Sequence, residues 1–338
     1  MTASKAAAVI NTKRCVPVFS GQILPMKEEN KSKWTAIGIT VIISGLLTYW
    51  GIQGIGVYGM ALFILTPLFI GMAPVIIYGR KRPVTTKQAR NIGFLTLGLF
   101  TVGLIVFAIE GLICIAMAAP IGLLLTWAGT LIGHSIIIKT PSSGATTIII
   151  LALTIPTTAF IEKRDKESLD LIEVTTSIEI DAKSEDVWKN VIEFPTLNEP
   201  TEFIFKTGIA YPINAEIKGQ GIGAIRHCNF STGSFVEPIT IWDEPKLLRF
   251  DVAENPAPMR ELSFYDINAP HLHDYFVSKQ GQFKLTKLEN GNTLLEGTTW
   301  YYHDIRPVFY WRLWSEYIIH KIHLRVLTHI KETTESGE

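Results

Sequence analysis

Hydrophobic positions along this chain follow two regimes. Over residues 34–161 apolar side chains run in near-continuous blocks, at 34–52, 57–78, 91–138 and 146–161. A membrane-crossing helix needs about 20 mostly apolar residues. The first two blocks therefore predict one span each, and the third predicts two spans folded back near Glu110-Gly111. The fourth block is shorter and contains Pro156, so four or five spans are open. From residue 171 the period becomes two: Ile172, Val174, Thr176, Ile178 and Ile180 alternate with Glu173, Thr175, Ser177 and Glu179, the pattern of a half-buried strand. SEDVWKNVIEF then predicts a short helix capped by Ser184. Six further strand-like runs follow at 214–218, 222–231, 235–243, 246–252, 276–288 and 293–303, with Asn290-Gly291 marking a tight hairpin. Asp304 and Pro307 open a long final helix running to about Lys331.

Charge reinforces the division. Through Ile161 there are 12 Lys and Arg against 3 acids, and from Glu162 onward 19 against 28, so the formal net charge of zero hides two unlike halves. One globular domain is excluded. The predicted organisation is a cytoplasmic N-terminal segment (1–33), a multi-pass transmembrane region (34–161), a linker (162–170) and a soluble domain (171–338). The N-terminal segment has no long apolar core and no cleavage site, so the first span is expected to persist. The loop GRKRPVTTKQAR at 79–90 carries five basic residues and is expected in the cytoplasm. Five spans then put the soluble domain on the non-cytoplasmic side of the cell membrane; an interfacial fifth segment would leave it in the cytoplasm. Within the spans only Glu110 and His134 are candidates for ion-coupled transport. They read as a turn carboxylate and an interfacial imidazole, which favours an anchor or scaffold. Cys15, Cys114 and Cys228 fall in three regions and form no paired motif. Basic residues share no face with aromatics, so no nucleic-acid partner is expected.

The order strand, helix, six strands, long terminal helix, together with the opening IEVTTSIEIDAKSEDVWKNVIEF, resembles the SRPBCC superfamily over about 170 residues. The resemblance implies an α+β, START-like helix-grip domain: a curved antiparallel sheet around a long C-terminal helix, here preceded by an all-α transmembrane bundle. The whole chain also looks like bacterial multi-pass proteins with such a domain, often labelled polyketide cyclase or lipid transport. That implies a cavity for a hydrophobic small molecule or lipid, and carries over no catalytic motif.

Residue parity places candidates around such a cavity. On 222–231 the more apolar face reads Ile222, Ala224, Arg226, Cys228, Phe230, which makes Arg226 the exception on an inward face. With Thr232-Gly233 as the turn, Cys228 opposes Glu237, and Arg226 lies diagonal to it, within reach of a long side chain. Arg226 and Glu237 are therefore expected as a polar anchor, with Cys228 a small core residue. The Pro-rich segment 254–274 reads as a lid or binding loop, from which Arg260, Tyr265, His271 and His273 reach the mouth. Trp300 and Trp314 complete the candidate lining. His271 and His273 read as solvated loop histidines, and the stripe Glu316, His320, His323 as solvated or interfacial, while Trp311, Trp314, Ile318 and Ile322 grip the sheet. GQGIG at 219–223 is a hairpin turn rather than a nucleotide loop. No metal site, no cofactor and no catalytic constellation is expected. The leading reading is membrane-anchored binding of an apolar molecule; the alternatives are a cyclase or dehydratase, or a scaffold for a protein partner.

Overall fold

The structure is a computed structural model that describes residues 26–80, 82–164, 170–263, 265 and 269–336. Residues 1–25, most of the predicted N-terminal segment with Cys15, and residues 165–169 of the predicted linker lie outside this description. Among the described residues, five helices are long and apolar enough to cross a membrane, covering Glu28–Ile55, Ala61–Gly79, Thr86–Val106, Leu112–Lys139 and Gly144–Arg164. Their α-helical cores are α1 (Met26–Tyr49), α2 (Thr66–Gly79), α3 (Thr86–Val106), α4 (Leu112–Lys139) and α5 (Gly144–Arg164). α1 ends in a π-helical turn at Trp50–Ile55, and α2 is preceded by another at Ala61–Leu65. Thr85 and Gln88 close a capping box that starts α3: the Thr85 hydroxyl accepts from the Gln88 N–H at 3.2 Å, and the Gln88 side chain accepts from the Thr85 N–H at 2.9 Å. Pro74, Pro120 and Pro156 lie inside α2, α4 and α5, a tolerated position where neighbouring helices shield the freed carbonyl. α2 and α4 cross closely through small residues, since a Cβ on Gly71 or Gly129 would strike backbone carbonyls of the opposite helix.

The second half is a seven-stranded antiparallel sheet in the order β1-β7-β6-β5-β4-β3-β2. Its strands are β1 (Ile172–Ile180), β2 (Pro212–Lys218), β3 (Ile225–Phe230), β4 (Gly233–Asp243), β5 (Leu247–Asp251), β6 (Phe276–Lys287) and β7 (Thr293–His303). Helices α6 (Ser184–Ile192) and α7 (Phe203–Lys206) lie between β1 and β2, and α8 (Val308–Ser336) follows β7. This is the helix-grip α+β fold. Its core joins Trp188 and Val191 of α6 to Leu248, Phe250, Leu285 and Leu295 of the sheet and to Val326, Leu327 and Ile330 of α8.

Four details differ from the sequence reading. Ser184 is the first residue of α6, not its cap, and its hydroxyl bonds Thr293 Oγ1 at 3.1 Å. β3 begins at Ile225 because Gly221 and Gly223 take positive φ, which leaves Ile222 exposed. Phe230 pairs with Gly233, so the turn is Ser231-Thr232 and Arg226 stands directly opposite Glu237. A two-residue slip keeps every side chain on its face, so the inward placement of Arg226 and Cys228 is unaffected. Finally, the stripe on α8 that meets the sheet contains Ser315, Ile319, Val326, Leu327 and Ile330. Trp311, Trp314, Ile318 and Ile322 belong to another cluster, with Phe205 and Ile209 and with Phe63, Ile113, Met117 and Ala118 of the apolar helices, and Ile322 also lines the space under the sheet.

That second apolar face docks the two halves. Ile305 pairs with Tyr58, and the Arg306 N–H donates to the Tyr58 carbonyl at 2.8 Å. The Tyr275 hydroxyl donates to the Gly56 carbonyl at 2.5 Å, the Leu112 N–H donates to the Leu262 carbonyl at 3.2 Å, and the Tyr310 hydroxyl donates to the Met117 carbonyl. All these contacts use the bundle end formed by residues 56–60 and 107–117. The basic loop between α2 and α3 lies at the opposite end.

Candidate functional site

A cavity of about 580 Å³ lies at the docked junction. Phe94, Gly98, Thr101 and Ile121 line it from the helices, and Phe230, Phe276, Ile318 and Ile322 from the helix-grip domain. Gly98 and Leu123 line it and are also exposed, so its α3–α4 wall reaches the outer surface of the bundle. A Cβ on Gly98 or Gly122 would meet nothing within 4 Å. A smaller cavity of about 120 Å³ shares Phe230, Phe235, Phe276 and Ile322 with the first and runs deeper under α8, past Arg226, Cys228, Glu237 and His323.

Most of the larger lining is hydrocarbon, and one cluster of its polar groups lies at the junction. Glu110, between α3 and α4, accepts a 2.7 Å hydrogen bond from the Tyr58 hydroxyl. Its Oε2 lies 3.6 Å from His271 Nδ1. On the other side of the imidazole, Nε2 is 2.9 Å from Cys114 Sγ in the first turn of α4 and 3.7 Å from Glu261 Oε1. The second Glu261 oxygen accepts from the Ile113 N–H at 3.2 Å, a carboxylate at the positive end of α4. The chain must pass tightly here, since a Cβ on Gly111 would collide with that carboxylate. Glu110, Glu261 and His271 are all buried. Burial pushes the Glu110 carboxyl above its usual range, against the pull of His271 and Tyr58. Burial acts the same way on Glu261, but the neighbouring His271 and Cys114 side chains and the Ile113 N–H outweigh it and hold that carboxyl low. Burial raises the Tyr58 phenol, and neighbouring Glu110 raises it further, so it stays a donor.

Of the sequence candidates, Trp314 lines the larger cavity and Arg226, Cys228 and Glu237 line the smaller. Arg226 is 1% exposed. Its guanidinium pairs with Glu237, donates to the Ile192 carbonyl at 3.1 Å, and sits 5.5–5.6 Å from the Phe194, Phe250 and Phe283 ring centres. Burial raises the Cys228 thiol to about 12, which leaves it a neutral core residue. Arg260, Tyr265 and His273 are exposed and line neither cavity. Trp300 is on the convex side of the sheet, where its indole donates to Glu173 and stacks with Arg249. His271 is not solvated as the sequence suggested; the loop folds back beneath the domain and buries it at 4% exposure. His323 likewise turns into the sheet, with Nδ1 3.1 Å from Thr176 Oγ1 and Nε2 2.8 Å from Thr299 Oγ1. The sequence singles out Glu110 but offers no link to Cys114 one turn later, or to Glu261 and His271 some 150 residues away. The spacing Glu110-x-x-x-Cys114 at the mouth of an apolar helix was the available signal.

No family model matches the chain, and no curated protein matches it. Among solved structures, norcoclaurine synthase from Thalictrum flavum with dopamine and hydroxybenzaldehyde aligns at 13% identity, covering 51% of this chain and 90% of that one, with a TM-score of 0.34. The Zhui aromatase/cyclase from a Streptomyces species aligns at 11% identity over 49% of this chain and 94% of its own, TM-score 0.32. Aha1 from Colwellia psychrerythraea aligns at 16% identity over 49% and 98%, TM-score 0.30. These are similarities to about half of the chain and name no activity for it. The class is set by the architecture itself: a helix-grip domain docked on a bundle of five apolar helices.

Proposed function

We propose that this is a multi-pass membrane protein that takes a hydrophobic small molecule or lipid from the bilayer into the junction cavity. One observation carries the reading: a single apolar cavity has walls from both halves and meets the outside of the bundle between α3 and α4. Its volume falls within the roughly 300–1,000 Å³ typical of ligand sites. Tyr58, Glu110 and His271 are among the polar groups of its lining that would orient a headgroup. Direct entry from the membrane spares the molecule a passage through water, whose cost grows by about 0.8 kcal/mol per exposed methylene. The docked domain sits opposite the basic loop at 79–90, and the rule that basic loops stay inside supports a non-cytoplasmic side for it.

The test is native mass spectrometry of the full chain purified in detergent, followed by solvent extraction. A stoichiometric apolar adduct is expected. Gly98→Trp, which places an indole in the opening, should reduce adduct occupancy at least tenfold while the protein stays monodisperse. An empty wild-type cavity that also fails to bind an added fluorescent lipid would overturn the reading.

A further inference from the structure

Four side chains at the junction are more than a hydrogen-bond network requires. Glu110, Cys114 and His271 offer donor atoms that all lie within 4.8 Å of one another. Glu261 brings a second carboxylate within 3.7 Å of the same imidazole. Three of the atoms pointing inward, Glu110 Oε2, Glu261 Oε1 and His271 Nδ1, are buried without a hydrogen-bond partner. Buried polar atoms are almost always satisfied, and a buried carboxylate without a countercharge is expensive. The imidazole lies 3.6 and 3.7 Å from the two carboxylates, beyond hydrogen-bonding distance. A small cation with coordination bonds of about 2.0–2.3 Å fills the gap between the histidine and Glu261.

We propose that Cys114, His271 and Glu261 bind one divalent transition-metal ion of the zinc type, with Glu110 as the carboxylate that orients the histidine. His271 Nε2 faces Cys114 Sγ and Glu261 Oε1; these are the nitrogen, sulfur and oxygen donors that zinc accepts in tetrahedral sites. Nδ1 faces Glu110, which Tyr58 fixes from behind, the carboxylate–histidine arrangement that sets tautomer and ring orientation in metal centres. On binding, the Cys114 S–H bond breaks, its proton passes to solvent, and the thiolate sulfur donates its electron pair to the ion. Tetrahedral geometry places sulfur and nitrogen about 3.5 Å apart, so the Cys114 side chain swings slightly away from the 2.9 Å seen here. Cys114 and His271 line the large cavity, and the remaining coordination position faces it. Two ligands come from the β5–β6 connection and one from α4, so the ion also fastens the helix-grip domain to the bundle. The site stands independently of what the cavity holds.

The experiment uses the full-length protein, purified in detergent without a polyhistidine tag. Elemental analysis should find about one equivalent of zinc or another first-row transition metal per chain. After stripping with a chelator, titration with Co²⁺ should produce a thiolate-to-cobalt charge-transfer band. In C15S/C228A, where Cys114 is the sole thiol, the band should persist. Adding C114S should abolish it, and H271A should weaken Co²⁺ binding by at least tenfold. E110Q should weaken it by about 10–100-fold, the usual effect of an outer-shell partner. A folded C15S/C228A protein with no stoichiometric metal and no band overturns the site, even if C114S does not fold. A band that survives in C15S/C228A/C114S overturns it as well.

Discussion

The Arg226–Glu237 pair gives the sharpest test of how the helix-grip domain is held. Both side chains are almost wholly buried, paired face to face across β3 and β4, and Arg226 lies among three aromatic rings. Replacing Arg226 with Met leaves Glu237 buried without its countercharge, a change that costs about 3–5 kcal/mol. For a domain of this size each kcal/mol corresponds to about 2–4 °C in melting temperature, so R226M should melt roughly 6–20 °C below the native protein. E237L should do comparable damage by stranding the guanidinium. The double variant R226M/E237L replaces the pair with apolar volume, which in buried ion pairs is often neutral or stabilising, and it should recover most of the loss. Intrinsic tryptophan fluorescence during heating in detergent reads all four proteins. An R226M protein that melts with the native one would refute the reasoning. The cycle also bears on ligand binding. The pair lines only the 120 Å³ cavity, smaller than the roughly 300 Å³ at which ligand sites begin. The folded double variant should therefore keep its apolar adduct; loss of that adduct would make Arg226 a ligand anchor after all.

Two further outcomes follow from the same geometry. Burial, with the nearby charge of His320 second, lowers the His323 imidazole from 6.5 to about 4. The folded state then binds this proton less readily than the unfolded chain. The stabilisation is present in full above pH 6.5 and is lost as pH falls toward 4, about 3 kcal/mol in all at roughly 1.4 kcal/mol per pH unit; H323Q should flatten that part of the melting curve against pH. A reporter active only in the cytoplasm, fused after Glu338, should be silent, and its activity would sink the five-span topology.

Legibility in the sequence followed the range of the interactions involved. The strands and α8 were readable because alternation and turn chemistry are local, and Arg226 was readable because parity fixes a side chain's face even when the register slips by two. The loop 254–274 was recognised as unusual, yet which of its residues turned inward was not. His271 and His273 differ by two positions and present the same chemistry to a reader of sequence. Packing against Tyr58, at 4.9 Å between ring centres, separates them. Glu261, Glu110 and Cys114 carried no shared local pattern, because the junction exists only after two independently patterned halves meet. The face of α8 was misassigned for a related reason. A helix with one apolar stripe points it at the core, but α8 carries two, and hydropathy does not say which one meets the sheet.

That second stripe makes the two halves a single folding problem. Trp311, Trp314, Ile318 and Ile322 of α8 pack with Phe205, Ile209 and Met259 against Phe63, Ile113, Met117 and Ala118 of the helices. Burying a large apolar side chain is worth about 1.5–3 kcal/mol, so the four α8 residues alone contribute on the order of 10 kcal/mol as an upper bound. Cutting the chain before residue 170 would leave the sheet and its inner core intact and expose this patch to water. Patches of that kind drive association in soluble proteins. Residues 170–338 expressed alone should therefore acquire native-like far-ultraviolet circular dichroism but self-associate in size-exclusion chromatography. Replacing Trp311 and Trp314 with polar residues should restore a monomer with little loss of melting temperature, because both belong to the junction cluster and neither lines the smaller cavity against the sheet. A wild-type fragment that elutes as a stable monomer would show that the junction is a loose contact between self-sufficient domains, and the shared cavity would then lose its structural basis.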